Sequence, residues 1–405
     1  MTQPDTASAA SIETATRRAI ALLSLATFSS MVSQRICDPM LPELSREFGV
    51  PLAVAAQVVS MFAVVYGISQ LFYGPMGDRL GKFRVVTWAT LGCGVASVGA
   101  VLAPTLDALV LARMGVALGA GAIIPLALAW TGDAVPYARR QETLARLGLG
   151  TTLGLVAGQV AGGVLTDALG WRWAFAFMAT LYCAAGALLW RQLRSLGATQ
   201  VSSSAVADAP RIGAVAQARQ ILAGRWPRTV VLVALIEGAV GFGVLAIWPT
   251  HLNRHHGLSL SASGAIVALY GVGAVLYMLT ARHWIPRLGE RGLTLLGTSS
   301  VAACALLFVL TPVWWLTPLA ALLAGFGFFM FHNTMQANAT QMAPQARGTG
   351  VSMFAAALFT GQSLGVLGAT QLAQRIDTGP VIAIGGLLLL ALGSFFAWRL
   401  RHRGH

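Results

Sequence analysis

The sequence predicts an all-α membrane protein, with twelve transmembrane helices in two pseudo-symmetric six-helix bundles. The first observation is composition, because 56% of the 405 residues are hydrophobic, only 10% are charged, and the mean hydropathy is +0.70. Soluble domains carry about 25% charged residues, so a water-exposed surface cannot be assembled from this chain. The second is a series of helix-length apolar stretches, and the third is an internal repeat. Together they exclude a disulfide scaffold, a disordered chain and a cytosolic enzyme.

Twelve apolar stretches follow one another along the chain. A span of the roughly 30 Å hydrocarbon core needs about 20 apolar residues. None of the stretches shows the two-residue alternation of a membrane barrel strand, so helices must satisfy the backbone in lipid. The predicted spans cover residues 20–42, 54–76, 85–103, 108–130, 144–165, 173–190, 229–249, 261–281, 292–311, 313–335, 349–370 and 379–398.

The basic residues predict the orientation of these spans, because Lys and Arg are retained on the cytoplasmic side. With the N-terminus inside, twenty-one of the 27 Lys and Arg residues lie in internal segments and four in external ones. We therefore expect a multi-pass protein of the bacterial inner membrane with both termini in the cytoplasm. The net charge of +13 is spread over loops on one side, which argues against nucleic acid as a partner.

An internal repeat relates the two halves of the chain. The matching positions are 49 and 257, 79–81 and 287–289, and 136–139 and 344–347, all 208 residues apart, and 158–162 and 361–365, which are 203 apart. Such a duplication is typical of transporters whose two bundles rock around a central cavity. We predict bundles at 1–193 and 228–405, joined by a polar cytoplasmic linker at 194–227.

The loop after the second span reads GPMGDRLGKFR over residues 74–84. It resembles the signature loop of the major facilitator superfamily, G-x-L-x-D-R-x-G-R-[KR], and departs from it at Met76 and Lys82. In that family the loop is a cytoplasmic gate that stabilises the outward-open state. The resemblance assigns this role to Gly74, Asp78, Arg79, Gly81 and Arg84. The alternative is a solvated basic turn that only sets topology.

Span 5 resembles the antiporter motif of the same superfamily, G-x-x-x-G-P-x-x-G-G, with Gln159 in place of the proline. The matching positions are Gly154, Gly158, Gln159, Gly162 and Gly163. Small residues four apart also let helices approach closely in lipid, which explains the glycines as packing alone. Overall the chain is similar to the twelve-span drug:proton antiporter family, which includes arabinose-efflux-like permeases.

Charged residues inside predicted spans are functional candidates, because each costs at least about 2.5 kcal/mol at the centre of a bilayer. Arg35 and Asp38 lie three residues apart on the first helix, next to Gln34, and can form an ion pair. A structural or gating role and a role in substrate or proton chemistry both stay open for this pair. Arg113 resembles the family's span-4 arginine, which couples protonation to conformational change, and the alternative is that it snorkels to the interface.

Glu237 is the most exceptional of these residues, because it lies in span 7 with no basic residue within one helical turn. Removal of a carboxylate from water favours its neutral form, as a proton carrier requires. We predict that Glu237 couples transport to protons together with Asp38 and Arg113. The alternative is a permanently protonated structural group. A polar stripe in span 10, formed by His332, Asn333 and Gln336, lines the predicted cavity with Gln34, Arg35 and Glu237 as scaffold or proton relay.

These residues predict a proton-coupled secondary transporter that exports small organic molecules or drugs by alternating access. The alternative is a proton-linked uptake symporter for a sugar or organic anion, with Arg35 and Arg113 binding the anion. The sequence has neither an HExxH motif nor a Ser/His pair, so we expect no enzyme. It has no GxxxxGK[ST] loop, so we expect no nucleotide cofactor. We expect a monomer in the bilayer and no metal site.

Overall fold

The computed structural model describes residues 6–135, 137–196, 214–344 and 347–402, and the regular elements in these ranges are helices. They are α1 Thr6–Arg35, α2 Leu41–Glu47, α3 Leu52–Ala55, α4 Gln57–Leu80, α5 Lys82–Val101, α6 Leu106–Ala134, α7 Tyr137–Leu169, α8 Trp171–Leu196, α9 Ala214–Ala223, α10 Arg225–Glu237, a π-helical turn Gly238–Gly243, α11 Trp248–His256, α12 Leu260–Leu310, a 3-10 turn Trp314–Leu316, α13 Thr317–Gln341, α14 Arg347–Ile376 and α15 Thr378–Arg401. The predicted all-helical fold class is confirmed.

Ten stretches of the described residues are long and apolar enough to cross a membrane. One of them is α12, whose 51 residues would extend about 76 Å, more than twice the roughly 30 Å hydrocarbon core. Gly289 interrupts it with a non-helical conformation, φ 59° and ψ 177°, inside the loop predicted between spans 8 and 9. The helix α1, which contains the first predicted span, is not among the ten. The count of twelve spans therefore stays a prediction.

The helix α1 carries Arg17 and Arg18 near its start, Gln34 and Arg35 at its end, and hydroxyl side chains between them, all of which lower its hydropathy. Ser24 and Ser29 donate to carbonyl oxygens one turn earlier on the same helix, at 2.9 and 2.8 Å. Ser30 donates across to the Ala120 carbonyl of α6 at 3.2 Å. These bonds satisfy each hydroxyl without water, so the helix is compatible with an apolar environment.

Buried apolar side chains form two core clusters. The first draws on residues between Ala19 and Leu189, with Ala246 and Val366 added, and the second on residues between Ile221 and Phe396. Contacts of α7 with α12 and of α4 with α14 join the helices of the two clusters. The bundle boundaries at 193 and 228 stay predictions, and residues 197–213 of the predicted linker lie outside the described residues.

The glycines of the repeat occupy equivalent turns. Gly49 and Gly257 have φ of 61° and 62°, and Gly81 and Gly289 have φ of 89° and 59°. Side chains with a Cβ atom rarely adopt this left-handed region, whereas glycine adopts it freely. The need for a sharp turn at the same place in each half therefore explains why glycine recurs 208 residues apart.

A second repeated feature is the packing of glycines against a neighbouring helix. A Cβ atom on Gly158 of α7 would lie 2.7 Å from the Val32 carbonyl oxygen of α1, and one on Gly361 of α14 would meet the Leu235 carbonyl oxygen of α10 even more closely. The equivalent pairs one turn on are Gly162 with Ile36 and Gly365 with Ala239. Both partners of each pair are shifted by the same 203 residues. The close approach of α1 to α7 is therefore repeated by α10 and α14.

Candidate functional site

Glu237 is the last residue of α10 and is fully buried. The π-helical turn follows at once, and Gly238 and Gly243 let it approach the backbone of α14 closely. Turns of this kind occur often at functional sites. No basic residue near it in the sequence neutralises Glu237, as expected, but a partner comes from elsewhere in the fold. His332 of α13, 95 residues away, places Nδ1 at 2.7 Å from Glu237 Oε1.

The contact with Glu237 is the first link of a three-residue chain. The other ring nitrogen of His332, Nε2, lies 3.0 Å from the amide nitrogen of Gln336, one turn further along α13. Exposure rises from one end of this hydrogen-bonded series to the other: Glu237 is 0% exposed, His332 is 5% exposed, and Gln336 is an exposed residue. Asn333 is partly exposed beside His332. The predicted polar stripe thus makes contact with the predicted proton-binding carboxylate.

Aromatic rings surround the imidazole of His332. Phe328 stacks on it with ring centroids 5.7 Å apart and an interplanar angle of 13°. Phe242, Phe329 and Phe354 lie at centroid distances of 5.6, 5.5 and 6.2 Å. These rings shield the contact between His332 and Glu237 from water.

Arg35 and Asp38 form the ion pair that their spacing predicted. Arg35 Nη1 donates to Asp38 Oδ2 at 3.2 Å, and the two side chains are 2% and 0% exposed. Gln159 Nε2 of α7 donates to the same oxygen at 3.0 Å. The sequence suggested only helix packing for Gln159, which stands where the family motif has proline, and this hydrogen bond across 121 residues was missed. The guanidinium of Arg35 also lies 4.9 Å from the ring centre of Phe242, which separates it from the His332 site.

Arg113 is 1% exposed in α6. Its Nε donates to the Val58 carbonyl at 3.2 Å, and its guanidinium lies 4.1 Å from the ring centre of Phe62. An arginine that snorkels would reach solvent, so the burial is inconsistent with that alternative. Its positive charge stays inside the helix bundle.

Several polar atoms around these residues have no hydrogen-bond partner. Leaving a buried polar atom unsatisfied costs about 1–3 kcal/mol, so each such atom calls for a partner such as water, an ion or a ligand. They are Gln34 Nε2, Arg35 Nε, Asp38 Oδ1, Arg113 Nη2, Gln159 Oε1, Glu237 Oε2, Gln362 Oε1 and Ser363 Oγ. By the 203-residue offset Gln34 corresponds to Glu237 and Gln159 to Gln362. The second pair carries an amide in both halves, whereas the first carries a neutral amide in one half and a carboxyl in the other.

The predicted gate loop lies at the end of α4 and the start of α5. Gly81 makes the turn between them, and Arg79 and Arg84 are exposed, as is Gly74. The side chain of Asp78 lies outside the described residues, so the gate stays a prediction. Among the motif glycines of α7, Gly154, Gly158 and Gly162 face α1, whereas Gly163 faces the Leu260 carbonyl of α12. Close packing therefore explains all four.

The predicted external end carries two carboxylates that join helices. Asp167 at the end of α7 accepts hydrogen bonds from the backbone amides of Leu260 and Ser261, at 3.2 and 2.5 Å, and so caps α12. Asp377 caps α15 and pairs with His255 at 2.9 Å. Desolvation alone would raise the pKa of Asp377, but hydrogen bonds from the Thr378 amide and from His255 lower it below its usual value.

His255 of α11 has Asp377 as its acidic partner. His251 of the same helix hydrogen-bonds to Thr378 instead, with Nδ1 and Oγ1 2.9 Å apart. Among the residues described, no group of three or more His, Cys, Asp or Glu side chains could hold a metal ion.

Apolar helices around buried charged groups define a multi-pass membrane protein. The sequence matches the Major Facilitator Superfamily over residues 23–366. The chain belongs to this superfamily, whose members similar to it in sequence and structure are transporters and not enzymes.

Three relatives illustrate the similarity in sequence. The multidrug export protein EmrB of Escherichia coli K12 is 28% identical over 153 residues, 38% of this chain and 30% of EmrB. A chloramphenicol resistance protein of Pseudomonas aeruginosa is 26% identical over 281 residues, 68% of this chain and 64% of that protein. YwfA of Bacillus subtilis, an uncharacterized transporter of the superfamily, is 25% identical over 262 residues, 64% of this chain and 62% of its own length. The chain thus covers less than two thirds of each.

Solved structures share the fold over nearly the whole chain. A bacterial homolog of the human lysosomal transporter Spinster, inward-facing and unoccupied, superposes with a TM-score of 0.74 at 17% identity, covering 94% of this chain and 95% of that one. The nucleoside transporter NupG gives 0.72 at 14% identity, covering 93% and 97%. At these identities the likeness shows the fold alone.

Proposed function

We propose that this protein is a proton-coupled secondary transporter that exports small organic molecules by alternating access. The observation that carries the proposal is Glu237, a fully buried carboxyl group with one oxygen on His332 and the other without a partner. Relatives named for multidrug export, chloramphenicol resistance and fatty acid resistance support the direction of transport.

Alternating access rests on the duplicated architecture. In the proposal, twelve spans form bundles at 1–193 and 228–405, with the linker at 194–227 and both termini in the cytoplasm of a bacterium. The bundles rock about the contacts of α4 with α14 and of α7 with α12. In the proposal Asp167, which holds α7 to the start of α12, belongs to the contact that closes the external end. The loop at Asp78 and Arg79 closes the other end in the opposite conformation.

Coupling follows from the charges enclosed between the bundles. Arg35 is neutralised by Asp38 at 3.2 Å, whereas Arg113 contacts a carbonyl oxygen and an aromatic ring. In the proposal Glu237 is the acidic group of the site that exchanges a proton for a polar or cationic substrate. Asp38, held by Arg35 and Gln159, orients the first helix, and its unpaired Oδ1 contacts the substrate.

The test is transport by purified protein in proteoliposomes at two pH gradients of opposite sign. The probes are ethidium, a cation, chloramphenicol, which is uncharged, and dodecanoate, an anion. We expect at least one probe to move against the proton gradient, and Glu237→Gln to abolish that movement. Glu43→Gln is the matched control, because Glu43 lies in an ion pair with Arg46 that is exposed on the arginine side. Gradient-driven transport that survives Glu237→Gln would remove this carboxyl group from the mechanism.

The second candidate is proton-linked uptake of an organic anion, which the unpaired guanidinium atoms of Arg35 and Arg113 favour. The same assay separates the two, since in symport dodecanoate and protons move in one direction. In export they move in opposite directions.

A further inference from the structure

We propose that Nε2 of His332 is the atom that takes up the transported proton, that Glu237 supplies the balancing negative charge, and that the amide of Gln336 turns over with each protonation. The inference rests on the proposed function and deepens it, because it locates the proton on α13 and not on the buried carboxyl group.

The first step is the hydrogen count of the Glu237–His332 contact. Two atoms 2.7 Å apart that both lack a hydrogen would repel, so one hydrogen lies between His332 Nδ1 and Glu237 Oε1. On the other side of the ring, the Gln336 amide nitrogen faces Nε2 at 3.0 Å. An amide N–H donates and cannot accept, so Nε2 carries no hydrogen in this arrangement. The hydrogen on Nδ1 then belongs to a neutral imidazole that donates to a carboxylate, and the unit has a net charge of −1.

The second step is the uptake of one proton by this unit. The proton binds the lone pair of Nε2, the imidazole becomes imidazolium, and the net charge of the unit becomes zero. Gln336 must then rotate its amide so that the carbonyl oxygen accepts from Nε2–H. No other covalent bond changes, and loss of the proton reverses both events. Hydrogen bonds with a charged partner are the stronger kind, so the rotated amide favours the protonated form.

The third step concerns access. Glu237 is fully buried, and His332 is 5% exposed. The exposed member of the chain is Gln336, on the Nε2 side of the ring. In the proposal the proton is released past Gln336 toward the end of α13 near Gln341, which is predicted to be cytoplasmic, as export coupled to proton entry requires. The Oε2 atom of Glu237 has no hydrogen-bond partner, and in the proposal it binds the substrate.

The groups around the imidazole determine how readily it is charged. From α10 the carboxyl of Glu237 favours the imidazolium, and the stacked ring of Phe328 adds a cation–π contact. From α1 the Arg35 guanidinium opposes it across the ring of Phe242. Tyr270 of α12 contacts Phe328 and carries no charge.

Two further elements face this part of α13. The ring of Phe354 is the α14 contact. Glu290 of α12 accepts from Asn338 of α13 at 3.1 Å, more than one turn beyond His332. The carboxyl of Glu237 thus contacts the imidazole directly, whereas the ring of Phe242 lies between the imidazole and Arg35. This arrangement permits a single reversible protonation of the imidazole.

The test is ¹⁵N NMR of protein labelled at its seven histidines, with His332 assigned from the difference between wild type and His332→Gln. At neutral to alkaline pH we expect His332 to carry hydrogen on Nδ1 only, and on acidification Nε2 to gain one. Gln336→Leu, which keeps both charged partners, removes the amide that accepts from the imidazolium. We expect it to move the midpoint of this change by about one unit to lower pH.

His283, an exposed histidine of α12, provides the control, because His283→Gln is expected to leave the His332 signals unchanged. A His332 that carries hydrogen on Nε2 at every pH, or that never titrates, overturns the inference. A midpoint that Gln336→Leu does not move overturns the role of Gln336. A different result would contradict the proposed function: His332 Nε2 gains its hydrogen on acidification, but transport in proteoliposomes does not depend on the proton gradient.

Discussion

Adding one methyl group to Gly361 tests the packing that brings Glu237 into the site. Gly361 of α14 faces the backbone of α10 two residues before Glu237, and its Cβ would overlap the Leu235 carbonyl oxygen. A backbone oxygen cannot swing aside as a side chain can, so α10 and α14 must move apart. Gly368 lies two turns further along α14 with nothing within 4 Å of its Cβ position.

The two substitutions differ in the sign of their expected effect on stability. Gly368→Ala should stabilise the protein by about 0.5–1 kcal/mol, because alanine is the better helix former. Gly361→Ala gains the same amount but loses about 1–3 kcal/mol or more to overpacking. Gly158→Ala, with a Cβ 2.7 Å from the Val32 oxygen, should fall between them. The expected order of stability is therefore Gly368→Ala, wild type, Gly158→Ala and Gly361→Ala.

The assay is thermal unfolding of the purified variants in one detergent. A melting temperature of Gly361→Ala equal to that of Gly368→Ala would refute the reasoning, because it would mean that α10 and α14 do not approach as closely as described. Transport by Gly361→Ala should fall together with its stability, whereas Gly368→Ala should transport normally.

Three further predictions address charged residues. Arg35→Gln should lower the free energy of unfolding by about 3–5 kcal/mol, because it leaves the buried Asp38 charge unpaired. In a double-mutant cycle, adding Asp38→Asn should recover part of this loss. Additive losses from the two substitutions would argue against the ion pair. Asp167→Asn should weaken the cap on α12 and increase labelling of a cysteine introduced at the external end by an impermeant thiol reagent, whereas Asp107→Asn, in the first turn of α6, should not. The pKa of Asp377 is lowered in the folded protein, so wild type should be more stable to unfolding than Asp377→Asn. This difference should be complete above about pH 4 and should disappear as the pH falls through the lowered pKa. A stability difference that stays constant between about pH 6 and 3 would contradict the prediction.

Local spacing was sufficient for part of the site. Arg35 and Asp38 are three residues apart, so their ion pair was predictable from the spacing, although α1 ends at Arg35 and Asp38 lies in the turn that follows. The glycines of span 5 are four apart, so the close approach of a neighbouring helix was also predictable. Glu237 stood out because a carboxyl group without a local partner is rare in an apolar stretch.

The partners of these residues were not predictable from spacing. His332 is 95 residues from Glu237, and Gln159 is 121 residues from Asp38. Each pair forms because separate helices pack together, and one sequence alone gives no distance between them. The sequence repeat did not reveal the relation of Gln34 to Glu237, because it relates spans 1 and 7 by 208 residues at Gly49 and Gly257. The offset of 203 at Gln34 follows from the packing of Val32 and Leu235 in the structure.

Hydropathy identifies ten candidate spans, whereas the sequence predicts twelve, and two segments account for the difference. The first helix carries hydroxyl groups that bond to backbone carbonyls, which lowers its hydropathy without exposing it to water. The stretch from Leu260 to Leu310 reads as one long helix because Gly289 breaks it for a single residue. Hydropathy alone therefore assigns these segments differently from the repeat.

The central claim is that substrate and proton exchange at the Glu237–His332 unit. The most direct measurement is proton release by detergent-purified protein in weak buffer, followed with a pH indicator dye, on addition of the probe that the protein transports. We expect about one proton per protein from wild type at a pH where the unit is protonated, and none from Glu237→Gln. Equal release from both proteins, or none from wild type at any pH, would contradict the account.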